Sequence, residues 1–245
     1  MNKNLYIYIF LSTFFNLYSQ TNFDFVKIKY KSFLLDEREE YGCFLYEETV
    51  LITNNKKSYY YEKARDTIIQ TLTMGDMNNY NSKYKYTYFK DFDKKIIYYD
   101  RDYGLKKIII DSTDLIKWKI TPNQKSVMGY NCQEAYGEFR GRNYRAYFLK
   151  DIPISNGPFK FDGLPGIILK VQSEDGCVNI EAFEIEYNID IPFNFTNDFL
   201  DKKAATWDEF IKFYKKRVEK VRNYSPEEGV TYSIPIGYIE QFINE

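Results

Sequence analysis

An α+β chain, mainly β, is what this sequence predicts: a curved antiparallel sheet laid out as a half-barrel-like meander, with a C-terminal amphipathic helix packed on it. Three observations carry that expectation. Aromatic residues fill 19% of the 245 positions, with 25 Tyr and 20 Phe, which suits half-buried strands whose rings pack inward while hydroxyls reach water. Short runs of alternating apolar and polar residues recur between brief polar breaks. Only near the C-terminus does helical spacing follow a capping signal.

Residues 1–19 have Lys3, an apolar and aromatic run from Leu5 to Leu17, and a close on Tyr18-Ser19, the pattern of a signal peptide cut to leave Gln20 first. No cysteine stands at that cut, which argues against a lipid anchor. The rest, 20–245, is expected to form a single β-rich domain in the periplasm or outside the cell, with no transmembrane segment.

Phe23 to Leu35, Tyr41 to Ile52 and Ser58 to Tyr61 alternate and read as early strands, the last two joined by a turn at Thr53-Asn54-Asn55-Lys56. Lys63 to Met74 fits helix and strand spacing alike and leans to strand or loop; Gly75 to Ser82 is a loop. Lys83 to Lys90, Lys94 to Tyr99, Leu105 to Asp111 and Leu115 to Thr121 then read as a continuous meander. Asp100-x-Asp102-x-Gly104 is a hairpin turn rather than a calcium loop, because Leu105 and Asp111 stand where an EF-hand needs glycine and glutamate.

Gly129 to Lys150 reads as a hairpin turning at Arg140-Gly141, with Arg142 opening the return strand. The centre of the chain is Gly157 to Leu169. There Leu164 is driven to extended geometry by Pro165, and Gly166 is expected to take the positive φ of a type II turn. Ile167, Leu169 and Val171 then share one strand face, and Ile168, Lys170 and Gln172 the other. A turn at Asp175-Gly176 would set Val171 opposite Ile180 and Leu169 opposite Ala182.

Thr206-Trp207-Asp208-Glu209 is a capping box. Behind it Trp207, Phe210, Ile211, Tyr214, Val218 and Val221 form one stripe, with lysines and arginines largely outside it. The stripe is expected to pack on the sheet; a membrane-surface role for the basic side is the secondary reading. Pro226 ends the region, and Tyr232 to Ile239 adds a short strand or extended tail.

Histidine is absent, which removes Ser-His and Cys-His activation and histidine-containing zinc sites together. The balance of 34 basic against 35 acidic residues offers no global field for nucleic acid or an anionic membrane. Cys43, Cys132 and Cys177 allow at most one intramolecular pair, and spacing does not choose it. No cofactor or metal is implied. Glu134, Glu138, Asp162 and Glu181 are the carboxylates a hydrolase could use, though strand carboxylates ordinarily mark a solvent face.

Gly163-Leu164-Pro165-Gly166-Ile167-Ile168, together with Trp118, Gly129-Tyr130-x-Cys132-Gln133-x-Ala135, Gly141-Arg142, Ala146-Tyr147-Phe148, Ile152-Pro153 and Gly157-Pro158, resembles the signature of the GLPGLI family of uncharacterised exported proteins of Bacteroidetes. The resemblance runs from Trp118 to about Gly176, with Ile167, Tyr147 and Phe159 as mild departures. It implies export, a β-rich fold and no established activity. It also marks Trp118, Cys132, Gly141, Arg142, Pro153, Gly157, Pro158, Gly163, Leu164, Pro165 and Gly166 as signature residues, structural or binding. The architecture is also similar to the half-barrels of periplasmic lipoprotein carriers, an analogy of shape alone.

The leading functional expectation is a non-enzymatic cell-envelope module holding a hydrophobic small molecule, a peptide or an envelope protein in the hollow of its sheet. A carboxylate-dependent hydrolase and a structural partner of an outer-membrane receptor are the alternatives. Filling of the hollow by Trp207, Phe210 and Tyr214 would leave a protein-interaction surface instead.

Overall fold

The computed structural model describes residues 25–36, 43–63, 84–100, 108–189, 199, 202–223 and 240. The signal-peptide expectation, residues 64–83, most of the Asp100 to Gly104 turn and the Tyr232 to Ile239 tail lie outside them. Side chains at 34–36, 43–47, 63, 84–86 and 221–222 are likewise outside, which takes in Cys43 and the last member of the helix stripe, Val221.

The described strands are β1 (Val26–Asp36), β2 (Cys43–Thr53), β3 (Lys57–Lys63), β4 (Tyr84–Asp91), β5 (Ile96–Tyr99), β6 (Ile108–Ser112), β7 (Lys119–Val127), β8 (Tyr130–Phe139), β9 (Arg142–Leu149), β10 (Ile167–Ser173), β11 (Val178–Tyr187) and β12 (Ala204–Thr206), followed by helix α1 (Trp207–Arg222). They form one 12-stranded sheet in the order β12-β6-β5-β4-β3-β2-β1-β11-β10-β9-β8-β7. Every pairing is antiparallel except β12 on β6.

Two hairpins need turns whose twist matches the strands, and both obtain it from paired positive φ angles. Met128 and Gly129 lie at 52° and 82°, Arg140 and Gly141 at 45° and 82°. Opposite Ile180 stands Val171, the expected register, but the connection is four residues long, Glu174 to Cys177, where Asp175-Gly176 alone was expected.

Three expectations are corrected. The meander breaks after β6. Thr113 to Trp118 is not a strand; it carries the chain to the opposite edge of the sheet, where β7 begins. Gly166 has no positive φ; the left-handed glycine is Gly163, at 86°. Gly166 is needed for space instead, since a Cβ there would fall on the Leu149 carbonyl. Finally, a bulge between Ile168 and Lys170 breaks the simple alternation, and every residue from Ile167 to Val171 is buried.

The concave side is filled by the chain itself. Between β9 and β10, Ile152, Ile154, Phe159, Phe161 and Leu164 are buried in the main core cluster, and this segment forms a plug. Its backbone is tied to the start of β10: Ile167 N–H donates to Ile152 O at 3.0 Å and Ile168 N–H to Asn156 O at 2.8 Å. Opposite, the Tyr30 hydroxyl donates to Ile168 O at 2.8 Å. Phe161 meets Tyr144 and Phe139 edge-on, and Phe159 meets Tyr88.

The open sheet curls round the plug far enough for one side chain to bridge it. Arg140, at the β8–β9 tip, reaches Asp111 of β6 at 2.7 Å, although β5, β4, β3, β2, β1, β11 and β10 lie between β6 and β9 in sheet order. Helix α1 covers the β12–β6 end, burying Phe210, Tyr214 and Val218 and partly burying Trp207 and Ile211. Its capping box is formed: Thr206 N–H donates to Glu209 Oε2 at 2.9 Å and Glu209 N–H to Thr206 Oγ1 at 3.3 Å.

Gly166→Ala is therefore expected to cost about 2 kcal/mol by forcing β10 away from Leu149. Urea unfolding checks this as a lowered midpoint with unchanged slope.

Candidate functional site

A lysine between Phe159 and Phe161 looks misplaced until its surroundings are seen. Lys160, 1% exposed, is carried on the plug to the place where β5, β6, the β8–β9 tip and α1 converge. Its ammonium donates to Tyr99 Oη at 2.9 Å, Asp111 Oδ2 at 3.0 Å and Glu240 Oε1 at 2.8 Å. Arg140 binds the same two carboxylates. Trp207 roofs the group, its ring 3.4 Å from the Arg140 guanidinium carbon and 4.6 Å from Lys160 Nζ, and the Tyr99 ring lies 4.0 Å from that nitrogen.

Two cations and two anions thus neutralise one another with little water present. Burial pulls the Lys160 ammonium down from its ordinary value against the pull of Glu240 and Asp111. Burial also pushes the Asp111 carboxyl up, but Lys160 and Arg140 together outweigh it and hold that carboxyl below its ordinary value.

A second buried lysine anchors the middle of the plug. Lys90 projects inward from β4 with 0% exposure and faces Asn156 Oδ1 at 2.8 Å, Asp162 Oδ2 at 3.0 Å and the Phe161 carbonyl at 3.4 Å. Asn156 in turn donates to Thr53 Oγ1 at 2.9 Å. Asp162 accepts the Asp114 N–H at 2.8 Å, and the Asp162 carbonyl accepts Trp118 Nε1–H at 2.7 Å. Desolvation lowers the Lys90 pKa, with Asp162 opposing.

An ammonium has three donors. Lys160 spends all three on protein oxygens, and Lys90 spends two while pairing with the Asp162 carboxylate. These are cross-links between plug and sheet.

The signature residues fall into separate neighbourhoods. Trp118 crosses β8, where a Cβ on Gly137 would meet its ring at 2.9 Å, and its Cδ1 lies 3.7 Å from a Cβ placed on Gly163. Gly157 is pressed against Ile168, where a Cβ would lie 2.7 Å from the Ile168 Cβ. Pro158 and Leu164 are buried, while Pro153, Gly163 and Pro165 are exposed. Gly141 sits in the β8–β9 turn, away from these. Arg142 Nε pairs with Asp175 Oδ2 at 2.8 Å, bracing that hairpin against the β10–β11 turn. Cys132 and Cys177 are buried, and burial raises the Cys132 thiol to about 11, which leaves it a poor nucleophile.

The carboxylates singled out from sequence do not converge. Asp162 is inside the plug. Glu181 pairs with Lys170 at 2.5 Å along the row Lys31, Glu181, Lys170, Tyr147, Glu134, on the face opposite the inward Ile180, Val171 and Ala146. Glu134 and Gln133 instead grip the β7 bulge. Glu134 accepts from Thr121 Oγ1 at 2.9 Å and Asn123 Nδ2 at 3.1 Å, while Gln133 donates to the Thr121 and Asn123 carbonyls. Burial pushes the Glu134 carboxyl up, yet these donors and Tyr147 hold it below its ordinary value. Glu138 is exposed. Among the described residues no group of three His, Cys, Asp or Glu could hold a metal ion.

Sequence reasoning missed both lysine nodes. The available signal was charge at inward strand positions: Lys90 follows buried Tyr88 by two residues, and Asp111 follows buried Ile109 by two.

Residues 140–170 match a family model described as a protein of unknown function (Porph_ging); the match includes Arg140, Lys160 and Asp162. No curated protein matches the chain. Among solved structures, PNGF-II in two crystal forms, C2 and P21, is similar at a TM-score of 0.52 and 16% identity, over 80% of this chain. The chain spans 33% of the length of PNGF-II, and the likeness is one of fold.

Lys160→Met is expected to destabilise by about 3–5 kcal/mol, because two buried carboxylates would then share one guanidinium; thermal and urea unfolding measure it. Asp111 has a folded pKa below its unfolded value, so its contribution is complete above the ordinary carboxylate pKa of 3.8 and is lost as pH falls through the folded one. The stability gap between the native chain and Asp111→Asn is therefore expected to be constant near neutrality and to narrow below about pH 4 in a urea series taken against pH.

Proposed function

We propose that the chain is an exported cell-envelope module of GLPGLI type that works by binding a peptide or envelope protein, not by catalysis. One observation carries this reading: the concave side of the sheet holds the chain's own plug, pinned by two buried lysines that pair with buried carboxylates. A carrier needs that hollow for its ligand, so the plug weighs against a hydrophobic small molecule there. A carboxylate hydrolase draws no support from Asp162 inside the plug, from exposed Glu138, or from Glu134 and Glu181, which share a face but have β9 and β10 between them.

Binding is then left to the rim. Trp118 is half-buried, fixed by its bond to the Asp162 carbonyl, beside exposed Gly163. Leu115, on the same crossing segment, is 37% exposed. A rigid aromatic at a rim loses little entropy on contact and is the usual kind of anchor in protein interfaces. Export by residues 1–19, to the periplasm or beyond, belongs to the same proposal, and docking to an outer-membrane receptor is one form of it.

Native mass spectrometry of the exported protein tests the reading. The expected species begins at Gln20, carries no small hydrophobic molecule and retains a polypeptide partner, with retention falling about tenfold in Trp118→Ala. A retained small molecule, or an uncleaved N-terminus, would overturn it.

A further inference from the structure

The near-zero overall charge conceals a strong local one. From Lys212 to Arg222 stand six cations (Lys212, Lys215, Lys216, Arg217, Lys220 and Arg222) and one acid, Glu219, a balance of +5 in a chain whose total is -1, so the remainder sums to -6. The fold decides where that charge points. Because Phe210, Tyr214 and Val218 are buried at the β12–β6 end, the helix turns Lys212, Phe213, Lys216, Arg217 and Lys220 to solvent. Phe213, Lys216, Arg217 and Lys220 are spaced i, i+3, i+4, i+7 and share a face, with Glu209 one turn before them as its acid. Phe213, 44% exposed, lies on that cationic face.

We propose that this face of α1 docks on an anionic phospholipid surface, with the lysines and Arg217 over the phosphates and the Phe213 ring entering the acyl boundary. The apolar face of α1 is used on the sheet, so the contact is of the polybasic kind, in which exposed lysines and arginines sit at an anionic headgroup layer with a neighbouring aromatic ring beside them. Cations near an anionic leaflet attract it within a Debye length, which a balanced total charge does not prevent. Among the described residues no helix is long and apolar enough to cross a membrane; this contact lies on a surface. It does not rest on the partner-binding reading of the rim, since α1 and Trp118 are separate surfaces.

Sedimentation of the full exported chain with vesicles of phosphatidylcholine containing about a quarter phosphatidylglycerol tests the proposal. The chain is expected to pellet with these vesicles, to stay in solution with pure phosphatidylcholine, and to be released near 1 M salt. The double variant Lys216→Gln and Lys220→Gln is expected to lose roughly thirtyfold in partitioning. Phe213→Trp should show a blue shift in emission, relative to the native chain, only with anionic vesicles. Both variants change exposed positions, and circular dichroism confirms that they fold. Equal binding to neutral vesicles, an undiminished double variant, or absence of the blue shift would each overturn the proposal. So would polyglutamate competing fully while Phe213→Ser binds like the native chain, which would assign the face to an acidic polypeptide.

Discussion

A charge cannot be left alone in a protein interior, and the curl of this sheet is what keeps Lys160 from being so. Its ammonium is placed by the plug at a point that β5, β6, the β8–β9 tip and α1 reach together, and it is tolerable there only because Tyr99, Asp111 and Glu240 supply three acceptors. If the sheet were flatter, Arg140 and Asp111 would sit far apart and four charged groups would lose their partners at once. Such pairs add little net stability compared with a well-packed apolar contact, but breaking one is costly. What they contribute here is selection among compact arrangements: an alternative curl that buried the same apolar area would strand the charges.

The plug follows the same logic. Segment 152–164 has no ladder of its own, so its polar side chains are held from outside it: Asn156 is hydrogen-bonded to Lys90 and Thr53, and Asp162 pairs with Lys90 and accepts the Asp114 amide. Around these fixed points Phe159, Phe161 and Leu164 complete the core. The stretch that most resembles a family signature is therefore an internal strut, and the matched residues 140–170 run from one wall of the Lys160 node, through the plug, to the strand it launches. A motif used this way can be shared by chains with different partners, because it fixes the scaffold and leaves the rim and helix surface to vary.

Much of the fold was legible because it is written in local periods. Val26, Ile28 and Tyr30 repeat every two residues, Phe210, Tyr214 and Val218 every four, and Thr206 with Glu209 marks where one regime gives way to the other. The bulge at Leu169 and the crossing at Thr113 to Trp118 were not legible. A bulge shifts the period by one residue without changing composition, and a crossing segment with Leu115 and Ile116 has the look of a strand. Gly166 shows the same limit: its neighbour Pro165 suggested a turn angle, while the actual demand comes from Leu149, seventeen positions earlier in the chain.

By itself the sequence determined most of the described strands, the helix that Thr206 and Glu209 begin, and that histidine chemistry is closed to it. Only the tertiary structure decided that β6 meets the β8–β9 tip, that the hollow holds the chain's own plug, and that a balanced charge is sorted into paired interior ions and one cationic helix face. The reason is physical: backbone period is set by neighbours in sequence, whereas the partner of a buried charge is set by how far a twelve-stranded sheet curls, a sum over many contacts that no single stretch encodes.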